Sequence, residues 1–152
     1  MARVLAHEGA MSESIKKIKP FFSLLIVSSN LGNKKVLLDA TQDLQFNIYT
    51  ADTIGQAWEI LMGRSPDVIF CDESLPDGNY QEFLSAVHYG HKAARFAVLL
   101  ESENREDCLR ALDLGATDIF AGSYEPSGIE QVLTQAELDT RQKTELGGVI
   151  SA

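Results

Sequence analysis

Five times between residues 21 and 138, a short and nearly unbroken apolar run is followed by a segment of helical period. The runs are Phe22 to Val27, Phe46 to Thr50, Val68 to Cys71, Phe96 to Leu100 and Asp118 to Ala121. Apolar runs without polar alternation belong to strands buried on both faces, and such strands occur where helices cover a parallel sheet on each side. The intervening segments supply those helices. Leu37, Thr41 and Leu44 share one face of a helix over 33–44, and Ile54, Ala57, Trp58 and Leu61 follow a cap at Asp52 or Thr53, with Gly63 as the stop. Tyr80, Phe83, Leu84 and Val87 mark a third helix. A fourth spans about 104–114 and stops at Gly115, and Ile129, Val132, Leu133 and Ala136 mark the last. Right-handed crossovers leave few arrangements for five strand-helix repeats, and at this size a doubly wound α/β sheet with parallel strand order 2-1-3-4-5 is the most economical.

The chain has 152 residues, room for one such domain over 21–142. Residues 1–20, which end in the basic cluster Lys16, Lys17 and Lys19, are expected to be a flexible lead-in. Residues 143–152 are expected to be a frayed tail, and either Met1 or Met11 can serve as the start. Acidic residues number 22 against 13 basic ones, a net charge of −9, which opposes binding to nucleic acid or an anionic membrane. No apolar run approaches the roughly 20 residues that span a bilayer. Cys71 and Cys108 are too few and too isolated for a disulfide framework, so a reducing, cytoplasmic compartment is expected.

In a doubly wound sheet, ligands bind beyond the carboxyl ends of the strands. The segments to inspect are therefore 28–32, 72–78, 101–104 and 122–125. Asp72 ends the third strand, and Pro76 and Gly78 shape the loop after it. The stretch Pro66-Asp67-Val68-Ile69-Phe70-Cys71-Asp72-Glu73-Ser74-Leu75-Pro76-Asp77-Gly78 resembles the phosphoacceptor segment of response-regulator receiver domains, the CheY-like modules of two-component signalling, with Asp72 on the acceptor position. Ala111-Leu112-Asp113-Leu114-Gly115-Ala116-Thr117-Asp118 resembles the family's turn into its fifth strand. This likeness covers roughly residues 21 to 138 and implies a flavodoxin-like three-layer sandwich.

Four departures from the family's pattern meet at the same edge. Ser28 and Ser29 stand where the family has the acidic pair that helps bind Mg²⁺, and a hydroxyl is a weak ligand for that cation. Leu100, or Glu101 in a register shifted by one, stands where the family has a Ser or Thr that bonds the phosphoryl group. Gly122 and Ser123 replace the family's Lys-Pro pair, and Ile119, with Phe120 beside it, matches the switch aromatic. Without cationic partners, a phosphoryl group on Asp72 would gather unneutralised negative charge. The resemblance thus implies a pseudo-receiver, neither enzyme nor metal protein, with a degenerate pocket of Ser28, Ser29, Ser74, Leu100, Glu101, Gly122 and Ser123. It would act through contact with a signalling protein, a histidine kinase or a second copy, by way of Ile119, Phe120 and Tyr124. The alternative is a phosphoaccepting receiver that uses Asp72 with weakly bound Mg²⁺.

Other chemistries have less support. His88 and His91 lack a third ligand at metal spacing, and there is no GxGxxG and no phosphate loop ending in Lys-Ser or Lys-Thr. A small flavin-binding protein is a second alternative, resting on the hydroxyl-rich and amide-rich segment Ser28-Ser29-Asn30-Leu31-Gly32-Asn33. Trp58 is expected to pack on the sheet with Ile54 and Leu61, and both cysteines to behave as small buried hydrophobes.

Overall fold

A computed structural model describes residues 22–42, 47–91, 93–122 and 125–151, with side chains up to 139. Five parallel strands, β1 (Ser23–Val27), β2 (Asn47–Ala51), β3 (Val68–Asp72), β6 (Arg95–Leu100) and β7 (Asp118–Ala121), form one sheet in the order β2-β1-β3-β6-β7. That is the doubly wound order expected from the pattern of apolar runs. A two-stranded antiparallel ribbon, β4 (Ser74–Leu75) and β5 (Gly78–Asn79), follows β3 directly, with Pro76 and Asp77 at its turn. Elements of two residues carry no periodicity, and the sequence pattern does not reveal this ribbon.

Among the described residues, five helices cover the sheet: α1 (Leu31–Thr41), α2 (Ile54–Gly63), α3 (Tyr80–Gly90), α4 (Arg105–Asp113) and α5 (Pro126–Ser151). Side-chain alternation along the strands sorts the core into two layers. Leu25, Val27, Ile69, Cys71, Val98 and Leu100 pack with Ala57 and Leu61 of α2, Phe83, Leu84 and Val87 of α3, and Ala111 of α4. On the opposite face Leu24, Ile26, Phe70, Ala97 and Leu99 pack with Leu37 of α1 and Ile129, Val132, Leu133 and Ala136 of α5. Trp58, half-buried, meets Phe83 edge-on with ring centroids 5.2 Å apart.

Caps account for most helix starts. Asn30 accepts from the Asn33 amide at 2.9 Å, so α1 begins at Leu31 instead of near residue 33. Thr53, not Asp52, caps α2 through the Gln56 amide, and Asn79 and Asn104 cap α3 and α4. Gly115, with φ of 111°, makes the turn into β7. The backbone of α5 stays helical to Ser151 and so runs through the segment expected to fray, since no proline interrupts it. The basic cluster before residue 20, Leu44 and Phe46 lie outside the described residues.

Candidate functional site

β1 and β3 are neighbours in register, Ile26 opposite Phe70 and Val27 opposite Cys71, which brings the next residue of each strand together at the carboxyl edge. Those residues are Ser28 and Asp72, both buried. Alternation puts their side chains on the α1 and α5 face. A buried carboxylate needs donors for its oxygens. Asp72 Oδ2 accepts from the Ser28 hydroxyl at 2.8 Å and the Ser29 backbone N–H at 3.1 Å, while Oδ1 accepts from the Asn33 side-chain amide at 2.8 Å. The Ser28 hydroxyl has a single proton. Its contact with Asn30 O is longer, at 3.2 Å, so the proton goes to the charged acceptor, and Ser28 Oγ in turn accepts from the Asn30 N–H at 3.2 Å.

Above Asp72 opens a cavity of about 380 Å³ lined by Ser29, Asn30, Asn33, Asp72, Glu73, Ser74, Leu99, Glu101 and Gly122. Its mouth is acidic. Glu73 Oε1 accepts from the Glu101 backbone N–H at 2.8 Å, which ties the end of β6 to the loop after β3. Gly122 has φ of 79°, and Glu103 lies so close that a Cβ added at Gly122 would meet its Oε2 at 2.6 Å. A carboxylate therefore stands against the position where the receiver pattern has lysine. Among the described residues, no group of three or more His, Cys, Asp or Glu side chains is arranged to hold a metal ion.

The structure brings Ser28, Ser29, Ser74, Glu101 and Gly122 together around Asp72, but not Leu100. The Leu100 side chain is 1% exposed and packs in the α2, α3 and α4 layer, because residues 96, 98 and 100 share one face of β6. Leu99 takes the place beside the cavity, with Asp72 as its register partner. Nor do Ile119 and Phe120 form one surface. They are adjacent in β7, so Ile119 packs into the α2, α3 and α4 layer and Phe120 into the other, 6.2 Å from Phe70. Ser123 and Tyr124 lie outside the described residues.

Asn33 is the site residue that sequence reasoning missed. Its spacing from Asn30 signals a helix cap, whereas its reach to Asp72 is a tertiary contact with no local trace. Cys71, next to Asp72, is fully buried, and burial with the Asp72 charge beside it holds the thiol well above its usual range. That makes it an inert core residue.

No family model matches the chain. Among curated proteins it is 27% identical over 120 residues to the KDP operon transcriptional regulatory protein KdpE of Escherichia coli (strain K12), covering 79% of this chain and 52% of that protein. The chain thus spans about half the length of that relative. Solved structures similar to it include the chemotaxis response regulator CheY4 of Vibrio cholerae, with a TM-score of 0.69 at 20% identity, covering 77% of this chain and 99% of that one. A CheY-like receiver domain protein of Methanospirillum hungatei JF-1 gives 0.73 at 14% identity, with 82% and 99% covered. The BeF3-activated DrrB receiver domain gives 0.69 at 16%, with 77% and 97% covered. The fold is that of CheY-like response-regulator receiver domains.

Proposed function

We propose that this chain is a receiver-fold module of two-component signalling that works by protein contact, with ordinary Mg²⁺-dependent phosphorylation of Asp72 lost. One observation carries this reading: neutral donors from Ser28, Ser29 and Asn33 occupy the Asp72 carboxylate. Mg²⁺ prefers carboxylates, phosphates and water, and the two residues beside Asp72 just past the end of β1 are serines. A phosphoryl group on Asp72 would sit in a cavity that Glu73 and Glu101 line, with Glu103 where a neutralising lysine would be needed. The same crowding of carboxylates disfavours the phosphate of a flavin. The partner is a signalling protein, a histidine kinase or a second copy of the chain.

A second reading, a phosphoaccepting receiver, is favoured by the comparisons: the likeness to KdpE and to a BeF3-activated receiver domain. Asp72 stands at the end of β3 and lines an open cavity, and among the described residues its Oδ1 accepts one hydrogen bond, which leaves a lone pair for another ligand. Amide NMR titration with Mg²⁺ and then beryllofluoride, repeated on Asp72→Asn, decides between the two. Silence in a well-folded wild-type spectrum is the expected result. Saturable shifts around 72–78 and 99–122 that vanish in the variant would instead establish the phosphoaccepting reading.

A further inference from the structure

We infer that Asn33 is a positioning residue that couples the charge of Asp72 to α1, so that α1, and not β6 or β7, carries a change at Asp72 outward. This rests on reading Asp72 as the centre of the module's site. It does not depend on whether that carboxylate is ever phosphorylated.

Among the described residues, all the hydrogen bonds of the Asp72 side chain go to residues 28–33, the end of β1 and the first turn of α1. Toward β6 and β7 the side chain has no hydrogen bond among the described residues. Leu100 is turned into the opposite core layer, the Glu101 backbone N–H is taken by Glu73, and Gly122 has no side chain.

The link to α1, by contrast, is stiff at both ends. The Asn33 backbone N–H is held by the Asn30 cap at 2.9 Å while its side chain holds Asp72 Oδ1 at 2.8 Å. One turn farther along, Leu37 is fully buried against β1. Removing the acceptor at Asp72 therefore leaves the Asn33 amide and the Ser29 N–H without a partner at once, and the first turn of α1 must move or rehydrate to satisfy them. Leu31, 82% exposed at the start of that turn, would display the movement at the surface.

Hydrogen exchange of the backbone amides in wild type, Asn33→Ala, Asp72→Ala and the double variant tests this without Mg²⁺ or beryllofluoride. Failure here is thus distinct from failure of the functional reading. Helix propensity alone predicts the opposite sign, because alanine is the better helix former and would slow exchange in α1. Coupling predicts that Asn33→Ala speeds exchange over 34–41 by about tenfold, the scale of one lost hydrogen bond to a charged group. Asp72→Ala should affect the same amides, the double variant should add nothing to Asp72→Ala, and amides over 95–121 should keep their rates. Slower or unchanged exchange in Asn33→Ala, additive effects, or a response to Asp72→Ala centred on 95–121 would overturn the inference. Should Asp72→Ala fail to fold, the sign of the Asn33→Ala effect alone decides.

Discussion

A carboxylate only 4% exposed persists in a fold when its hydrogen bonds outweigh its desolvation, and Asp72 has three donors from one short segment. Replacing it with asparagine keeps the shape but turns one acceptor into an NH₂ group. Toward Ser29 that group faces a fixed backbone donor, toward Asn33 it is accepted only if the Asn33 amide turns over, and in either orientation the hydrogen bonds lose the negative charge that strengthens them. Asp72→Asn should therefore destabilise the protein by about 1–3 kcal/mol, read from the midpoint of urea unfolding. A pocket dominated by repulsion between carboxylates would gain stability from the same change, so the sign reports which force governs the site. Gly122 sets a second constraint. Its φ of 79° is costly for any residue with a Cβ, and the exposed Glu103 side chain would have to swing aside to admit one. Gly122→Lys is accordingly expected to cost about 1–3 kcal/mol, and Gly122→Ala nearly as much, since the backbone and not the ammonium is the obstacle. If Gly122→Lys were neutral in urea unfolding while Gly122→Ala was not, a favourable Lys-carboxylate contact would have to exist at the mouth.

Among the elements, the ribbon after β3 meets α2 through buried Leu75 and through a carboxylate at its turn. Asp77, at its turn, accepts from the Ile54 N–H at 2.9 Å and the Gly55 N–H at 3.0 Å, so it caps α2 from another part of the chain while Thr53 takes the Gln56 amide. Those two backbone hydrogen bonds hold the Asp77 carboxyl below its ordinary value of 3.8. A depressed carboxyl contributes stability above its unfolded value and loses it as the pH falls through the lowered one. The Ile54 and Gly55 amide resonances should accordingly move together below pH 3.8 and stay still in Asp77→Asn, and a common midpoint above that value would contradict the cap. Legibility follows the range of the interactions involved. Buried strands leave unbroken apolar runs, and caps such as Asn30 and Thr53 lie within three residues of the amides they bind, so sheet order and most helices could be read directly. Asp77 on α2 and Asn33 on Asp72 are contacts across 22 or 23 and 39 residues, beyond any local pattern. Leu100 is different. Every residue from Phe96 to Leu100 is apolar, so the run marks a buried strand without marking which of Leu99 and Leu100 faces the site.

Across the whole molecule, the site joins two strands of the sheet to the helix layer over one face, so its chemistry is linked to global stability. Ser28→Asp with Ser29→Asp restores the acidic pair of the receiver pattern, but it sets a new carboxylate at the fully buried position 28, within hydrogen-bonding reach of Asp72. It also takes a chain of net charge −9 further from neutrality. Like charges in a buried site repel, and the double variant should unfold at a lower temperature than wild type when no divalent cation is present. A cation that binds only the folded form stabilises it by mass action, about 2.7 kcal/mol at a hundred times the dissociation constant. Millimolar Mg²⁺ should thus raise the unfolding temperature of the double variant and leave wild type where it was, in parallel thermal scans. If wild type gained as much from Mg²⁺, neutral donors around Asp72 would be no barrier to the cation, and the phosphoaccepting reading would take precedence. Rescue confined to the double variant would mean that the sheet edge keeps the geometry of a cation site while Ser28, Ser29 and Asn33 hold Asp72 without one.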